Sequence, residues 1–494
     1  MKMNNSDVDV LHLCESNFRA TVLSWRHTTM LRDWLSRKSA AQATLGLLAL
    51  GLVGCGSSVY RPIGPPPADS VTFPAASTQG WLQQYGTGYV PTGPSAFENN
   101  PNGDTAYGVA TDFQGNVIVL DETLGAFPGF TSNHLPEFAV VKFDGSGNRL
   151  WTQQFGTGNG DFPNAIATDA HGNIFVAGAT IGAFSGFMNS VGTQQSVVIK
   201  LNPSGQTVWI QQFPSTGSSQ ANGLAVDAQG NAIVVGETEQ PGFSDGYTEG
   251  GYVAKLSGAT GSTIWKQAYN ATSFNYETTG VAVDSQGNVI AVGGFPGPGS
   301  SNSTTYMVAK LDGTTGNTMW QQLPVTYSPF GGQMLTYTQV AVDAQGDVLL
   351  GGVDDSTGYN QCVIASLANG TGTQQWKQEF GAAETCIPGN LATDTAGNVL
   401  MTGNMLNPFF SSSNPPKTDD VFLAKLNGGG AGVWLQQFGT GEDLAKDSTT
   451  LGALTFVATD SQNHAYVAGT TTGAFPGFTN ANKVNELFVT QFGP

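Results

Sequence analysis

From Trp81 onward, apolar and polar residues alternate with period two in short runs, and Gly, Asn, Asp and Ser separate the runs. This pattern predicts β-strands joined by tight turns. One stretch shows the order of parts. Gly223-Leu224-Ala225-Val226-Asp227 leads into a turn, then AIVVGET over 232–238, a loop, Tyr252-Val253-Ala254-Lys255-Leu256, a second turn, and Thr263-Ile264-Trp265-Lys266-Gln267.

The same order recurs along the chain. Trp-x-Gln occurs at Trp81, Trp151, Trp209, Trp265, Trp320, Trp376 and Trp434, and Ala stands two residues before Asp112, Asp169, Asp227, Asp284, Asp343, Asp394 and Asp460. Seven repeats of roughly 55 to 60 residues, each with four short strands, predict an all-β, seven-bladed β-propeller over 81–494 in which no blade is stable alone.

Asp227-Ala228-Gln229-Gly230-Asn231 has the look of a metal or phosphate loop, but its recurrence in every repeat favours a hairpin turn. The fourth position must reach the left-handed region, which Gly does without a Cβ clash. It is Gly115, Gly172, Gly230, Gly287, Gly346 and Gly397, and in the last repeat Asn463, the next best residue there. The Asp accepts hydrogen bonds from its own turn. The Ala before it suits an innermost strand crowded around an axis.

Trp, the Gln two residues later and an aromatic two further on (Tyr85, Phe155, Phe213, Tyr269, Phe380, Phe438) share a strand face and are expected to pack against the next blade, with that Gln satisfying buried polar atoms. Six of the Trps follow a Gly by four residues: Gly147, Gly205, Gly261, Gly316, Gly372 and Gly430. Trp81 follows Ser77 instead, because its strand needs no hairpin. It pairs with the last strand, 487–492, and closes the ring.

With A-x-D-x-x-G-N-x-x-x-x-G, V-x-K-L and W-x-Q-x-F-G in order, the region 81–494 resembles the SBBP family of bacterial β-propeller repeats. That resemblance implies an extracytoplasmic or surface protein and supplies no catalytic residues. Asp312-Gly313-Thr314-Thr315-Gly316-Asn317-Thr318-Met319-Trp320 is also similar to the tryptophan-docking motif of quinoprotein dehydrogenases and of an outer-membrane assembly lipoprotein. Those typically have eight blades, and the alcohol dehydrogenase type carries an adjacent cysteine pair that is absent from this sequence.

The residues before the repeats read as an address. ATLGLLALGLVGCG over 43–56 is an apolar run behind Arg32, Arg37 and Lys38, too short to span a bilayer. Leu52-Val53-Gly54-Cys55 resembles a bacterial lipobox with Cys55 as the lipidated mature N-terminus, so 1–54 are expected to be removed. Met30 is a candidate start as well as Met1. Gly56 after the Cys, in place of Asp, favours the outer membrane or cell surface, and the Pro-rich segment 55–80 reads as a tether.

Composition excludes some functions. With 66 Gly, 11 % charged residues and a formal charge of −18, the surface lacks the Lys/Arg clusters that nucleic acid or anionic lipid requires. The membrane is therefore reached through the lipid alone, and a monomer is expected. Beyond Cys55 the histidines are His134, His171 and His464, the last two in turns. No zinc-ligand spacing, nucleophile elbow or phosphate loop occurs.

Cys362 and Cys386 fall at one face of the ring and are a candidate disulfide. The connections at that face vary most. Three share the phrase GAF[PS]GF, at 125–130, 182–187 and 473–478, read either as loops folded over the blade or as an aromatic rim for a ligand. Glu122, Glu237, Glu239, Asp354 and Asp355 follow second strands and are candidate ligand or Ca²⁺ residues at the channel mouth. The expected function is binding of, or scaffolding for, a protein or glycan without a cofactor. The alternatives are a lyase or glycoside hydrolase with paired carboxylates at the channel mouth and an envelope-assembly factor.

Overall fold

The computed structural model describes residue 73 and residues 77–90, 103–189, 192–215, 217–241, 247–269, 278–296, 304–325, 335–354, 361–381, 386–405, 420–440 and 455–494. All belong to one compact unit, Pro67–Ala445 with Ala453–Pro494. The signal and lipobox, Cys55, the tether apart from Phe73 and Ser77 to Gly80, and Asp355 lie outside the described residues.

The strands form seven antiparallel four-stranded sheets. Six blades run in chain order from an inner to an outer strand. Blade 1 is Thr105–Thr111, Val117–Thr123, Glu137–Phe143 and Arg149–Phe155. The inner strands of blades 2 to 6 are Asp161–Thr168, Ser219–Val226, Thr278–Val283, Leu335–Val342 and Cys386–Thr393. Blade 7 is Phe456–Thr459, Ala465–Thr471 and Glu486–Phe492, with Gln79–Tyr85 as its outer strand. Gln83 pairs with Val489 and Tyr85 with Leu487, so the N-terminal strand closes the ring. Ser77 Oγ donates to the Gly493 carbonyl at 3.2 Å, and Gly493 N–H donates to Thr78 O at 3.0 Å, which fastens the two ends.

Inner strands touch their neighbours all the way round. Part of that contact is polar. Thr168 Oγ1 donates to Thr111 O, Thr111 Oγ1 to Thr459 O, and Thr459 Oγ1 to Thr393 O, at 2.6, 2.6 and 2.7 Å. Thr393 Oγ1 continues the belt to Val342 O at 3.0 Å. The belt ends at Val342 of blade 5 and Val226 of blade 3, which have no hydroxyl to donate onward.

The Asp turns are as the repeat predicts. Asp227 Oδ1 accepts from Gln229 N and Asn231 N at 3.0 and 2.8 Å, and Gly230 has φ 77°. Asn463 reaches φ 65° in the last repeat. The Asp also does something the repeat did not announce. The Lys of V-x-K-L on the third strand ion-pairs with it: Lys142 to Asp112 at 2.8 Å, Lys200 to Asp169 at 3.5 Å, Lys255 to Asp227 at 2.8 Å, Lys310 to Asp284 at 2.7 Å and Lys425 to Asp394 at 2.9 Å.

These lysines also bind the next blade. Lys200 Nζ donates to Gly258 O at 2.9 Å and Lys255 Nζ to Gly313 O at 2.7 Å. The indoles of Trp209 and Trp265 donate to the same two carbonyls, at 3.0 and 3.2 Å. Beneath each indole lies the next blade's turn glycine. A Cβ on Gly261 would stand 2.9 Å from Trp209, and one on Gly316 2.8 Å from Trp265, at φ 74° and 73°. These glycines are therefore required twice, for conformation and for approach. Trp434 faces blade 7, where no hairpin joins third and outer strands, and its buried Nε1 has no hydrogen-bond partner.

Candidate functional site

The second-to-third connections and the outer-to-inner connections share one face of the ring, opposite the Asp turns. On it the GAF[PS]GF loops of blades 7, 1 and 2 are built alike. Phe127–Phe130, Phe184–Phe187 and Phe475–Phe478 are β-turns closed by N–H to carbonyl bonds of 3.0, 2.9 and 3.0 Å, with Gly129, Gly186 and Gly477 at φ 90–93°. Their first phenylalanines are buried and the second ones half-buried. The loops fold over their blades.

A glutamine on the outer strand clamps each loop. Gln154 Nε2 donates to Gly125 O at 2.8 Å, and its Oε1 accepts Phe127 N–H at 3.0 Å. Gln212 does the same with Gly182 and Phe184, and Gln84 with Gly473 and Phe475. This Gln stands three residues after the Trp, whereas the expected polar residue was the one two after it. Alternation of the strand turns these neighbours to opposite faces, and the clamp is on the face away from the Trp. The signal was present in the sequence, since blade 3, without the loop phrase, has Ala268 at that place.

Each clamped loop drops its first Phe into the gap between its own blade and the preceding one. Phe127 packs among Tyr85, Leu487 and Ala139, Phe184 among Phe155, Phe138 and Val197, and Phe475 among Phe438, Val421 and Phe488. The gap between blades 5 and 6 is filled differently. Phe73, from the segment ahead of the first strand, packs on Phe380 with ring centroids 5.9 Å apart, beside Cys362 and Phe422. Cys362 and Cys386 form a disulfide across this gap.

The candidate carboxylates are distributed over blades 1, 3 and 5. Glu122 is buried at the end of the second strand of blade 1. The carboxylate of Glu237 accepts from Gln220 Nε2, and Glu239 Oε2 from Ser218 N–H at 3.0 Å. Asp354 Oδ2 lies 2.7 Å from Lys377 Nζ, which is also 2.6 Å from Glu379. Among the described residues no three His, Cys, Asp or Glu side chains gather as metal ligands.

Two further carboxyls were not singled out by sequence. Asp104 is fully buried and accepts from Thr87 N–H and Oγ1 and from Thr123 Oγ1. Asp121, also fully buried, takes Thr105 N–H on Oδ1 at 3.0 Å, while its Oδ2 and the Tyr85 hydroxyl have no partner. Burial first, then the Asp104 charge, pushes the Asp121 pKa well above the usual carboxylate range. Asp121 replaces a glycine that every other blade has at this position: Gly178, Gly236, Gly293, Gly352, Gly403 and Gly469. Neither carboxyl reaches solvent, so both act within the fold.

One family model agrees with the repeat architecture. The family described as Beta-propeller repeat (SBBP) matches residues 150–184. An uncharacterized WD repeat-containing protein of Acanthamoeba polyphaga mimivirus, L264, is 26 % identical over 252 residues, covering 42 % of this chain and 18 % of the relative. The chain thus spans under a fifth of that protein's length.

Solved structures similar to this chain include a protein of unknown function from Dyadobacter fermentans, at 15 % identity and TM-score 0.44, covering 67 % of this chain and 94 % of that one. Quinohemoprotein alcohol dehydrogenase from Comamonas testosteroni has 13 % identity and TM-score 0.39, with 79 % and 75 % covered. The β-propeller domain of the trilobed protease from Pyrococcus furiosus has 10 % identity and TM-score 0.41, with 78 % and 95 % covered. The class is that of β-propeller repeat proteins.

Proposed function

We propose that this chain is a lipid-anchored, extracytoplasmic propeller that binds a protein or glycan through the loops of one face, as a recognition or scaffold module. One observation carries the reading. The polar groups of the repeated words are consumed by the fold: the turn Asp by its own amides and a Lys, that Lys and the Trp by the next blade's carbonyl, the clamp Gln by its loop. What differs from blade to blade lies in the connections at the opposite face. Loops positioned by a rigid scaffold are where recognition concentrates.

The disulfide supports an oxidising compartment. Cys55 after the apolar run supports lipid anchoring. The test has two arms. Palmitate labelling that is lost in Cys55→Ala supports the anchor, and unlabelled wild-type protein contradicts it. Capture of one protein or glycan from envelope extract by the full chain supports the binding role, provided that soluble loop-face antibody blocks it. Turnover of a glycan without retention would contradict it.

A further inference from the structure

The gap between blades 2 and 3 differs from the four filled gaps described above. It is an open recess lined by Phe213 and Ser196 of blade 2 and by Ser219, Thr238, Tyr252 and Lys266 of blade 3. These positions correspond one for one to the filled gaps. Phe213 stands where Tyr85, Phe155, Phe380 and Phe438 stand, Ser196 where Leu487, Phe138, Cys362 and Val421 stand, and Tyr252 where Ala139, Val197, Phe422 and Phe488 stand.

Among the described residues, blade 3 supplies no plug of its own. Its second and third strands run on as a paired ribbon to Pro241 and Tyr247, where blades 7, 1 and 2 turn back at the loop glycine. Its outer strand has Ala268 in place of the clamp Gln. Among the described residues, a ring of the Phe127 kind has neither a tight turn to carry it nor an amide to hold it.

We propose that the recess between blades 2 and 3 takes an aromatic side chain from an extended segment of a partner polypeptide, with an adjacent carboxylate of that segment meeting Lys266. The filled gap between blades 5 and 6 is the precedent within the molecule. There Phe73, which belongs to no loop of either blade, occupies the equivalent place beside a small residue, Cys362, and a ring, Phe422. Ser196 and Tyr252 are the same combination, with the Tyr252 hydroxyl donating to Ser196 Oγ at 3.0 Å.

The recess as it stands is about 50 Å³, less than a phenyl ring needs. Its cover is the side chain of Lys266, whose ammonium lies 4.5 Å from the centre of the Tyr252 ring. That side chain is exposed on the outer strand, and it is the part of the lining that an incoming ring would displace. Once displaced from the ring, its charge selects an anionic neighbour on the incoming segment. The nearby Glu237 and Glu239 are already engaged by Gln220 and Ser218.

This proposal rests on the binding-module reading and narrows it to one gap and one kind of partner. The probe is acetyl-Phe-Asp-amide, with acetyl-Ala-Asp-amide as control, titrated into the full-length protein by saturation-transfer NMR. The phenyl protons are expected to saturate and the alanyl methyl not. Ser196→Phe adds a third lining ring to Phe213 and Tyr252, where the filled gaps described have at most two besides the plug, and should weaken the probe about tenfold.

Lys266→Glu changes an exposed residue without threatening the fold. It should weaken acetyl-Phe-Asp-amide and favour acetyl-Phe-Lys-amide. An unsaturated ring with wild-type protein, or affinity untouched by both substitutions, overturns the proposal. If the chain then still captures its envelope partner, the gap alone is refuted. If it captures nothing, the binding role falls with it.

Discussion

Lys255 Nζ lies 2.8 Å from Asp227 Oδ2 and 2.7 Å from the Gly313 carbonyl, so one ammonium ties the turn of blade 3 to the hairpin of blade 4. Both side chains are nearly sealed from solvent, at 10 % and 0 % exposure. The loop that resembled a binding site is therefore half of a buried ion pair.

Removing one partner of such a pair leaves the other charge buried alone, which costs about 3 to 5 kcal/mol. Lys255→Met is expected to lower the unfolding free energy by an amount in that range, seen as a lower denaturant midpoint at unchanged slope. The double variant Lys255→Met with Asp227→Asn should recover most of the loss. Equal midpoints for Lys255→Met and wild type would show that the pair contributes nothing.

The pair also sets an acid limit. Burial would raise the pKa of Asp112, Asp227, Asp284 and Asp394, but bonds from the lysine and the turn asparagine outweigh it and hold all four below the usual value. A carboxyl with a depressed folded pKa stabilises above its unfolded pKa of about 4, and that stability drains as pH falls through the folded value. The contribution of these four carboxylates to the thermal midpoint, read for one of them as the difference between wild type and Asp227→Asn, should therefore stay level from neutral pH down to about 5 and then fall. A difference that grows on acidification below pH about 4 would contradict the sign.

Asp121 has the opposite sign. Its raised pKa means that ionisation in the fold is unfavourable, so the residue destabilises above the unfolded carboxyl value and ceases to do so below it. Asp121→Gly restores the residue of the other six blades and should stabilise by about 1 to 3 kcal/mol at neutral pH, less any cost at Thr105 N–H. The gain should shrink as pH falls from neutral toward the unfolded carboxyl value of about 4, and change no further below it. A destabilised Asp121→Gly at neutral pH would mean that the acid is held by something unseen in its surroundings.

How much of this could be read from the chain depends on the range of the interaction. Trp-x-Gln and Ala-x-Asp counted the blades because each is local to one strand, and Ser77 in place of a turn glycine marked the closure. The Asp227–Lys255 pair was hidden by the whole second strand and its loop, which separate the partners in sequence. Its trace is that blade 5, which has Ser366 in place of the lysine, also changes the turn Asn to Asp347. Phe73 on Phe380 left no trace at all, because nothing in a single extended segment says which gap it will meet.

The Cys362–Cys386 disulfide closes a loop with a sequence separation of 24 residues. Constraining a loop of that length is worth about 3 kcal/mol in the chain-entropy account. Reduction, or Cys362→Ser with Cys386→Ser, should lower the thermal midpoint by several degrees and leave strand content by circular dichroism unchanged. An unshifted midpoint after complete reduction would contradict the contribution.

Ring closure by Gln79–Tyr85 underlies every other statement about this molecule, since it decides that the seven repeats form one body. The direct measurement is thermal unfolding with amide hydrogen exchange on a chain that lacks residues 79–85. The account predicts loss of the cooperative transition and of protection along Glu486–Phe492, which then keeps only its pairing with Ala465–Thr471 and becomes an open edge. An unchanged midpoint with Glu486–Phe492 still protected would contradict it.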